Sequence, residues 1–258
     1  MRIQLLHSTF DGHGHATLDQ RLTCFLIDDC VAVDAGSIAI GMTSDQREKV
    51  RDIIVTHPHM DHIASLPIFI DDLYSTLKEP MRVHATPEVI ELLERDVFNW
   101  SVYPRFSGLK NDYGLVMEYV PISIGVEFKV AHLTVTAVPV NHIVPTVGLV
   151  VSDGESTVAF SSDTAETQEF WDLVNRTVDV KALLIEASFP NDMARLAEVS
   201  RHLTPATLGA ELTKLSQNGL DILAVHIKPA YRETIIRELK ALNISKLGVM
   251  EPGRTYSW

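Results

Sequence analysis

The chain has 258 residues, 46% apolar and 22% charged, an ordinary globular balance that allows a sizeable core. Its formal charge of −12 is spread along the chain and disfavours an extended nucleic-acid partner, which needs a basic stripe to displace counterions. No apolar run is long enough to span a bilayer, and the start, MRIQLLHSTFDGHGH, turns polar too soon for a secretory leader, so a cytoplasmic protein without a membrane partner is expected.

Short β-rich runs fill the first third: RIQLLH, then LTCFLI and VAVDAG around the Asp28-Asp29 turn, then RDIIVT. Cys24 and Cys30 fall in that apparent hairpin and are expected as reduced, buried thiols, since two cysteines make no disulfide framework. Ile63, Leu66, Ile70, Leu73 and Leu77 recur at helical spacing, which predicts a helix from His62 to about Leu77. A strand RVHA follows, then a helix opened by Thr86-Pro87, a favourable cap and first-turn pair.

Five strands are predicted next, near 116–120, 126–130, 133–138, 147–151 and 157–161. Helices and strands then alternate through ETQEFWDLVN, KALLIEA, TPATLGAELTKLSQNG, DILAVH and RETIIRELKAL. Asn218-Gly219 is expected to end the helix that Thr204 and Pro205 begin. No linker, repeat or seam appears, so residues 1–258 read as one domain. Strands before and between helices predict a mixed-sheet α/β (α+β) architecture with helices on the outer faces.

The densest chemistry lies in THPHMDHIASLP, residues 56–67. Pro58 keeps His57 extended, and residues two apart in extended chain point the same way, so His57 and His59 can converge on one cation. The turn into the helix swings Asp61 and His62 toward a second point. Imidazole and carboxylate donors suit zinc, and also manganese or iron. Asp61 could instead merely favour the helix N-terminus electrostatically, but four such residues in six positions outweigh that reading. Three further candidates each stand where a strand yields to a loop: His142 in PVNH, Asp163 in FSSDT and His226 in LAVHIKP.

The series His57-x-His59-x-Asp61-His62, His142, Asp163 and His226 resembles the metallo-β-lactamase-fold hydrolases over nearly the whole chain. The resemblance implies an αβ/βα four-layer sandwich, two mixed β-sheets flanked by helices, with the active site at the sandwich edge. It places His57, His59 and His142 on one metal and Asp61, His62 and His226 on the other, with Asp163 bridging. Asp34 in VAVDAG matches an aspartate that supports the metal loop from behind the ligands. Two divalent ions, zinc foremost, would prepare a bridging hydroxide, which suits a phosphodiester and also other esters.

His202, in SRHLTPATL, precedes a helix N-terminus, an anion-friendly place from which it could hold a phosphoryl oxygen or protonate a leaving oxygen. With Asp61 it makes the expected catalytic pair. This HLT element resembles the phosphodiesterase branch, which includes the ribonuclease Z enzymes and the class II cyclic-nucleotide phosphodiesterases. DVFNWSVYPRFSGL and HATPEVIELLERD look similar to the latter, so Trp100, Tyr103 and Phe106 are expected to face a base, with Arg105 near phosphate.

The implied activity is hydrolysis of 3′,5′-cyclic nucleotides, a small anionic substrate, and the implied assembly a homodimer. Rival readings are a ribonuclease Z-like tRNA 3′-processing nuclease, a hydrolase of another ester or thioester, and a non-catalytic metal- or ligand-binding module. One departure is FDGHGHATLDQRLTCF, where the family pattern calls for more glycine; its His13 and His15 could border the site.

Overall fold

Period-two alternation sorts the strand side chains between different cores. The molecule is described over residues 1–258 by a computed structural model. Its first half carries β1 (Arg2–Leu5), β2 (Phe25–Ile27), β3 (Val31–Val33), β4 (Asp52–Ile54), β5 (Met81–Ala85), the small hairpin β6 (Lys110–Asn111) and β7 (Gly114–Leu115), and β8 (Met117–Pro121). The second half carries β9 (Glu127–Val130), β10 (Leu133–Pro139), β11 (Val147–Ser152), β12 (Thr157–Phe160), β13 (Val180–Glu186), β14 (Asp221–Val225) and β15 (Leu247–Val249). The last strand, β16 (Thr255–Ser257), returns to pair with β1.

One sheet runs β16-β1-β2-β3-β4-β5-β8 and the other β15-β14-β13-β12-β11-β10-β9. In β3, Val31 and Val33 face the other sheet while Ala32 faces helices; in β13, Ala182 and Leu184 face inward while Leu183 and Ile185 face helices. The helices Leu66–Leu73 and Pro87–Asp96 cover the first sheet, and Glu169–Arg176, Pro205–Leu212 and Arg232–Ala241 cover the second. The order is therefore helices, sheet, sheet, helices, the four layers expected. Both sheets are mixed: β3, β4, β5 and β8 run parallel, as do β12 to β15, beside antiparallel neighbours. Because β10 and β12 are each antiparallel to β11, β10 runs with β12. The strand ends that lead into the ligand-type residues thus share one direction within each sheet.

Two expected helices differ. The run from His62 to Leu77 is split into Met60–Ile63 and Leu66–Leu73. Pro67 has no N–H to continue the first helix, and the His62 carbonyl accepts from Ala35 N at 2.7 Å instead. The helix begun at Pro205 ends at Leu212, well before Asn218-Gly219. There Asn175 captures the following backbone: its Nδ2 donates to the Lys214 carbonyl at 2.8 Å, and its Oδ1 accepts from Ser216 N at 2.8 Å. Cys24 is buried and Cys30 only half-buried, both free thiols.

Candidate metal centre

The backbone is bent into uncommon shapes where the site is built. Asp34, Ser162, Arg201 and His226 all have positive φ, between 54° and 60°, a region costly for residues with a Cβ. Asp34 follows β3, Ser162 precedes Asp163, Arg201 precedes His202, and His226 follows β14. Each kink turns a polar side chain from its strand or helix direction toward one edge of the sandwich. Close packing behind the loop also demands glycine: a Cβ on Gly36 would lie 2.0 Å from the Asp61 carbonyl oxygen.

Two donor groups carry the expected ligands: His57, His59, His142 and Asp163 form one, and Asp61, His62 and His226 the other, while a third set, Asp163, His202 and His226, overlaps both. Asp163 lies between them: its Oδ2 is 3.6 Å from His57 Nε2 and 3.2 Å from His226 Nε2, and its Oδ1 is 3.4 Å from His62 Nε2. His59 Nδ1 faces His142 Nε2 at 3.1 Å.

Four of the rings are held by their far nitrogen. His57 Nδ1 meets Thr56 Oγ1 at 3.1 Å, His62 Nδ1 meets Asp34 Oδ2 at 2.7 Å, and His226 Nδ1 meets Thr23 Oγ1 at 3.2 Å. His142 Nδ1 donates to the Arg201 carbonyl at 3.0 Å, and Arg201 Nη1 donates back to the His142 carbonyl at 2.8 Å. Such partners fix ring orientation and raise donor strength toward a metal. Asp34 also accepts from Thr56 N at 2.8 Å, so one carboxylate orients both the loop and His62.

A fit test lies in the near nitrogens. His57 Nε2 and His62 Nε2 are buried and have no hydrogen-bond partner. Unpartnered buried polar atoms are costly, and a divalent cation is the partner this donor set fits. Burial pushes the His142 imidazole down to about 4, leaving a neutral ring suited to ligation. Burial opposes charge on Asp163, yet His226 and His62 prevail and hold its carboxyl well below the usual range.

His202 is held differently. Its Nδ1 meets Glu186 Oε1 at 2.8 Å and Ser188 Oγ at 3.3 Å. With that nitrogen engaged, Nε2 is the ring nitrogen left for other partners. Burial disfavours its protonation, but the Glu186 carboxylate outweighs burial and raises the pKa. Glu186 is itself fully buried and accepts from Thr164 N at 2.8 Å and Leu203 N at 3.1 Å.

Beside His202 the surface opens into a cleft of about 710 Å³, lined by Asn141, Glu166, Arg195, Arg201 and Thr207 among others. Beneath Asp163 a cavity of about 20 Å³ between the sheets has room for one water.

The residues expected to face a base are not gathered here. Phe106 is 1% exposed and packs in the core against Phe98 and Tyr103, so no ligand can stack on it. Arg105 is committed to Glu94 at 2.7 Å, and the Tyr103 hydroxyl donates to Asp71 at 3.3 Å. Trp100 is 64% exposed, outside both donor groups and the cleft. His13 and His15 sit exposed on a hairpin, where Asp11 accepts from both backbone N–H groups, and join neither donor group.

Sequence reading missed Glu186, Arg201 and also Lys228, whose Nζ donates to Asp61 Oδ2 at 3.2 Å. Glu186 carried a signal, since a carboxylate closes the apolar run ALLIE just as Asp163 follows an apolar strand.

A β-lactamase superfamily domain profile matches residues 29–227, most of the chain and all seven residues of the two donor groups. The chain belongs to this superfamily. Among curated relatives, a Yersinia pestis protein named "Probable 3′,5′-cyclic-nucleotide phosphodiesterase" is 28% identical over 224 residues, covering 78% of this chain and 63% of the relative. An Aliivibrio fischeri protein named 3′,5′-cyclic-nucleotide phosphodiesterase is 27% identical, covering 90% of this chain and 85% of that one. A Saccharomyces cerevisiae relative, 3′,5′-cyclic-nucleotide phosphodiesterase 1, is 25% identical over 75% of this chain and 62% of its own. The matched segment thus spans less than two thirds of the Yersinia and yeast relatives.

Solved structures show the same fold. Unliganded yeast PDE1 superposes with a TM-score of 0.77 at 18% identity over 98% of both chains. The metallo-β-lactamase fold protein YhfI from Bacillus subtilis gives 0.74 at 16% identity over 99% of both. Human tRNase Z, short form, gives 0.68 at 14% identity over 100% of this chain and 99% of its own. The expected metallo-β-lactamase sandwich is therefore the fold of this superfamily member.

Proposed function

We propose that the protein is a dinuclear metal-dependent phosphodiesterase that hydrolyses 3′,5′-cyclic nucleotides to 5′-nucleotides. The observation that carries this reading is the Asp163 carboxylate standing between two donor groups, within 3.6 Å of His57, His62 and His226. The three curated relatives with cyclic-nucleotide phosphodiesterase names support the substrate class.

His57, His59 and His142 would hold one cation, Asp61, His62 and His226 the other, and Asp163 both. Zinc is the ion we expect from imidazole and carboxylate donors, with manganese or iron as substitutes. When bound, the pair would lower the pKa of the attacking water and offset charge on the phosphoryl oxygens.

The chain's own groups do the rest. Thr56, Asp34, Thr23 and the Arg201 carbonyl fix the imidazoles by their far nitrogens, so the donors need no rearrangement before reaction. His202, with Nδ1–H directed at Glu186, presents Nε2 on the cleft side and transfers a proton to the leaving ribose oxygen. Glu186 keeps that ring oriented and is a positioning residue. The cleft beside His202 falls within the size range of small-molecule sites and receives the nucleoside. A cytoplasmic homodimer belongs to the same reading, from the resemblance and the free thiols.

The test is incubation with 3′,5′-cyclic AMP before and after chelation, following 5′-AMP by chromatography. We expect hydrolysis that chelation abolishes and zinc, manganese or iron restores. No turnover with any of the three metals, together with cleavage of a precursor tRNA or a thioester, would transfer the site to a rival substrate.

A further inference from the structure

Lys228 stands outside the expected ligand set, yet its ammonium makes its contacts there. Nζ donates to Asp61 Oδ2 at 3.2 Å and lies 3.3 Å from His226 Nε2. These atoms belong to two of the three side chains in the Asp61–His62–His226 group, and they are 3.6 Å apart. Asp61 is the lysine's one acidic partner, so no other carboxylate holds the ammonium in reserve.

Lone pairs are the limiting resource. Ligation through Nε2 requires the tautomer in which Nδ1–H donates to Thr23 Oγ1, and that tautomer leaves the His226 ring a single lone pair, on Nε2. One lone pair serves one cation at a time. A divalent ion taking Asp61 and His226 as ligands therefore needs the donors that Lys228 now uses. The lysine can yield them, because its charge rides on a flexible stem that is 33% exposed.

The other group is built differently. His57, His59 and His142 turn their near nitrogens toward each other and toward Asp163, and no lysine or arginine side chain pairs with those donors. Arg201 touches this group only through backbone oxygen. The two centres are alike in ligand number and unlike in resident positive charge.

We infer that Lys228 is a built-in counter-cation of the second metal site: its ammonium occupies the Asp61 and His226 donors until a divalent ion displaces it. The two sites consequently fill in order, the His57–His59–His142 site first and tightly, the Asp61–His62–His226 site second and more weakly. This rests on the dinuclear reading given above.

The test is titration of the metal-free, full-length protein with Zn²⁺ by calorimetry against a competing chelator. Wild type should show two classes of site. Lys228→Met keeps the stem and removes the charge. It should leave the tight class unchanged and tighten the weak class about tenfold, the scale of one charge-assisted hydrogen bond. Lys228→Arg should keep the weak class weak. Circular dichroism and the unchanged tight class report that each variant is folded, and Lys228→Gln serves if Lys228→Met is not. Two zinc ions bound with the same pair of constants in wild type and Lys228→Met, or a weaker second ion in Lys228→Met, would overturn the inference while the dinuclear reading stands. A single ion in both proteins would overturn both together.

Discussion

A ring held at Nδ1 by a buried carboxylate is poorly placed to ligate through that nitrogen and well placed to pass a proton through the other. His62 is held the same way by Asp34, so what separates His202 is its surroundings: His62 Nε2 is buried and unpartnered 3.4 Å from Asp163, whereas His202, its Nδ1 engaged by Glu186 at 2.8 Å, borders the open cleft. His202→Ala should therefore retain the metals, and turnover of cyclic AMP should fall by about two to four orders of magnitude, the range for a lost acid–base group. Metal content by mass spectrometry and kcat measured on the same preparation decide the matter. Loss of metal in step with activity would make His202 a ligand, and an unchanged kcat would leave it structural.

One element carries strong electrostatics without joining the site. On β4, Asp52 faces Arg82 of β5 in register, and the arginine grips it with Nε and Nη2, each at 2.7 Å. His84 Nε2 adds a third contact at 2.8 Å. Burial would raise the Asp52 pKa, but the Arg82 and His84 hydrogen bonds outweigh it and bring the value from 3.8 to about 2. The folded-state pKa is thus depressed, so the stabilisation is fully present above about pH 4 and is lost as pH falls through about 2. Allowing for solvent screening on the Arg82 side, Asp52→Asn should cost about 1–2 kcal/mol at pH 7. It should also flatten the acid limb of stability between pH 4 and 2, which urea unfolding at stepped pH would reveal.

The same elements show what a sequence can disclose. The metal loop was legible because its meaning is local: His57, His59, Asp61 and His62 lie in six positions between a strand and a turn. His142, Asp163 and His226, each alone an ordinary residue where a strand yields to a loop, were legible only beside that cluster, whose coordination shells call for further donors. The end of the helix at Leu212 was not, since it depends on Asn175, an element away. Nor was the fate of Phe106, because an aromatic cluster at a helix end looks alike whether it faces a ligand or a core. Strands β15 and β16 are three residues each and too short to show a period.

At the scale of the whole molecule, the donors come from both halves of the sandwich. His57, His59, Asp61 and His62 follow β4 in one sheet, while His142, Asp163 and His226 follow β10, β12 and β14 in the other. Cations bound between them would tie the two sheets together at one edge, adding to the apolar core that Ile54, Val135, Leu184 and their neighbours already form between the sheets. That core implies a folded apo protein, unlike small metal-dependent domains that unfold when chelated. At free metal about 100 times the tighter site's dissociation constant, filling that site alone should add ~2.7 kcal/mol. At ~2–4 °C per kcal/mol for a chain of this size, the melting temperature should rise by about 5–10 °C. Scanning calorimetry of chelated and zinc-reloaded protein measures this directly. A single cooperative transition that shifts by this amount means the ions bind a fold that forms without them. Identical melting after verified reloading would mean that the metals bind the unfolded chain as well as the folded one.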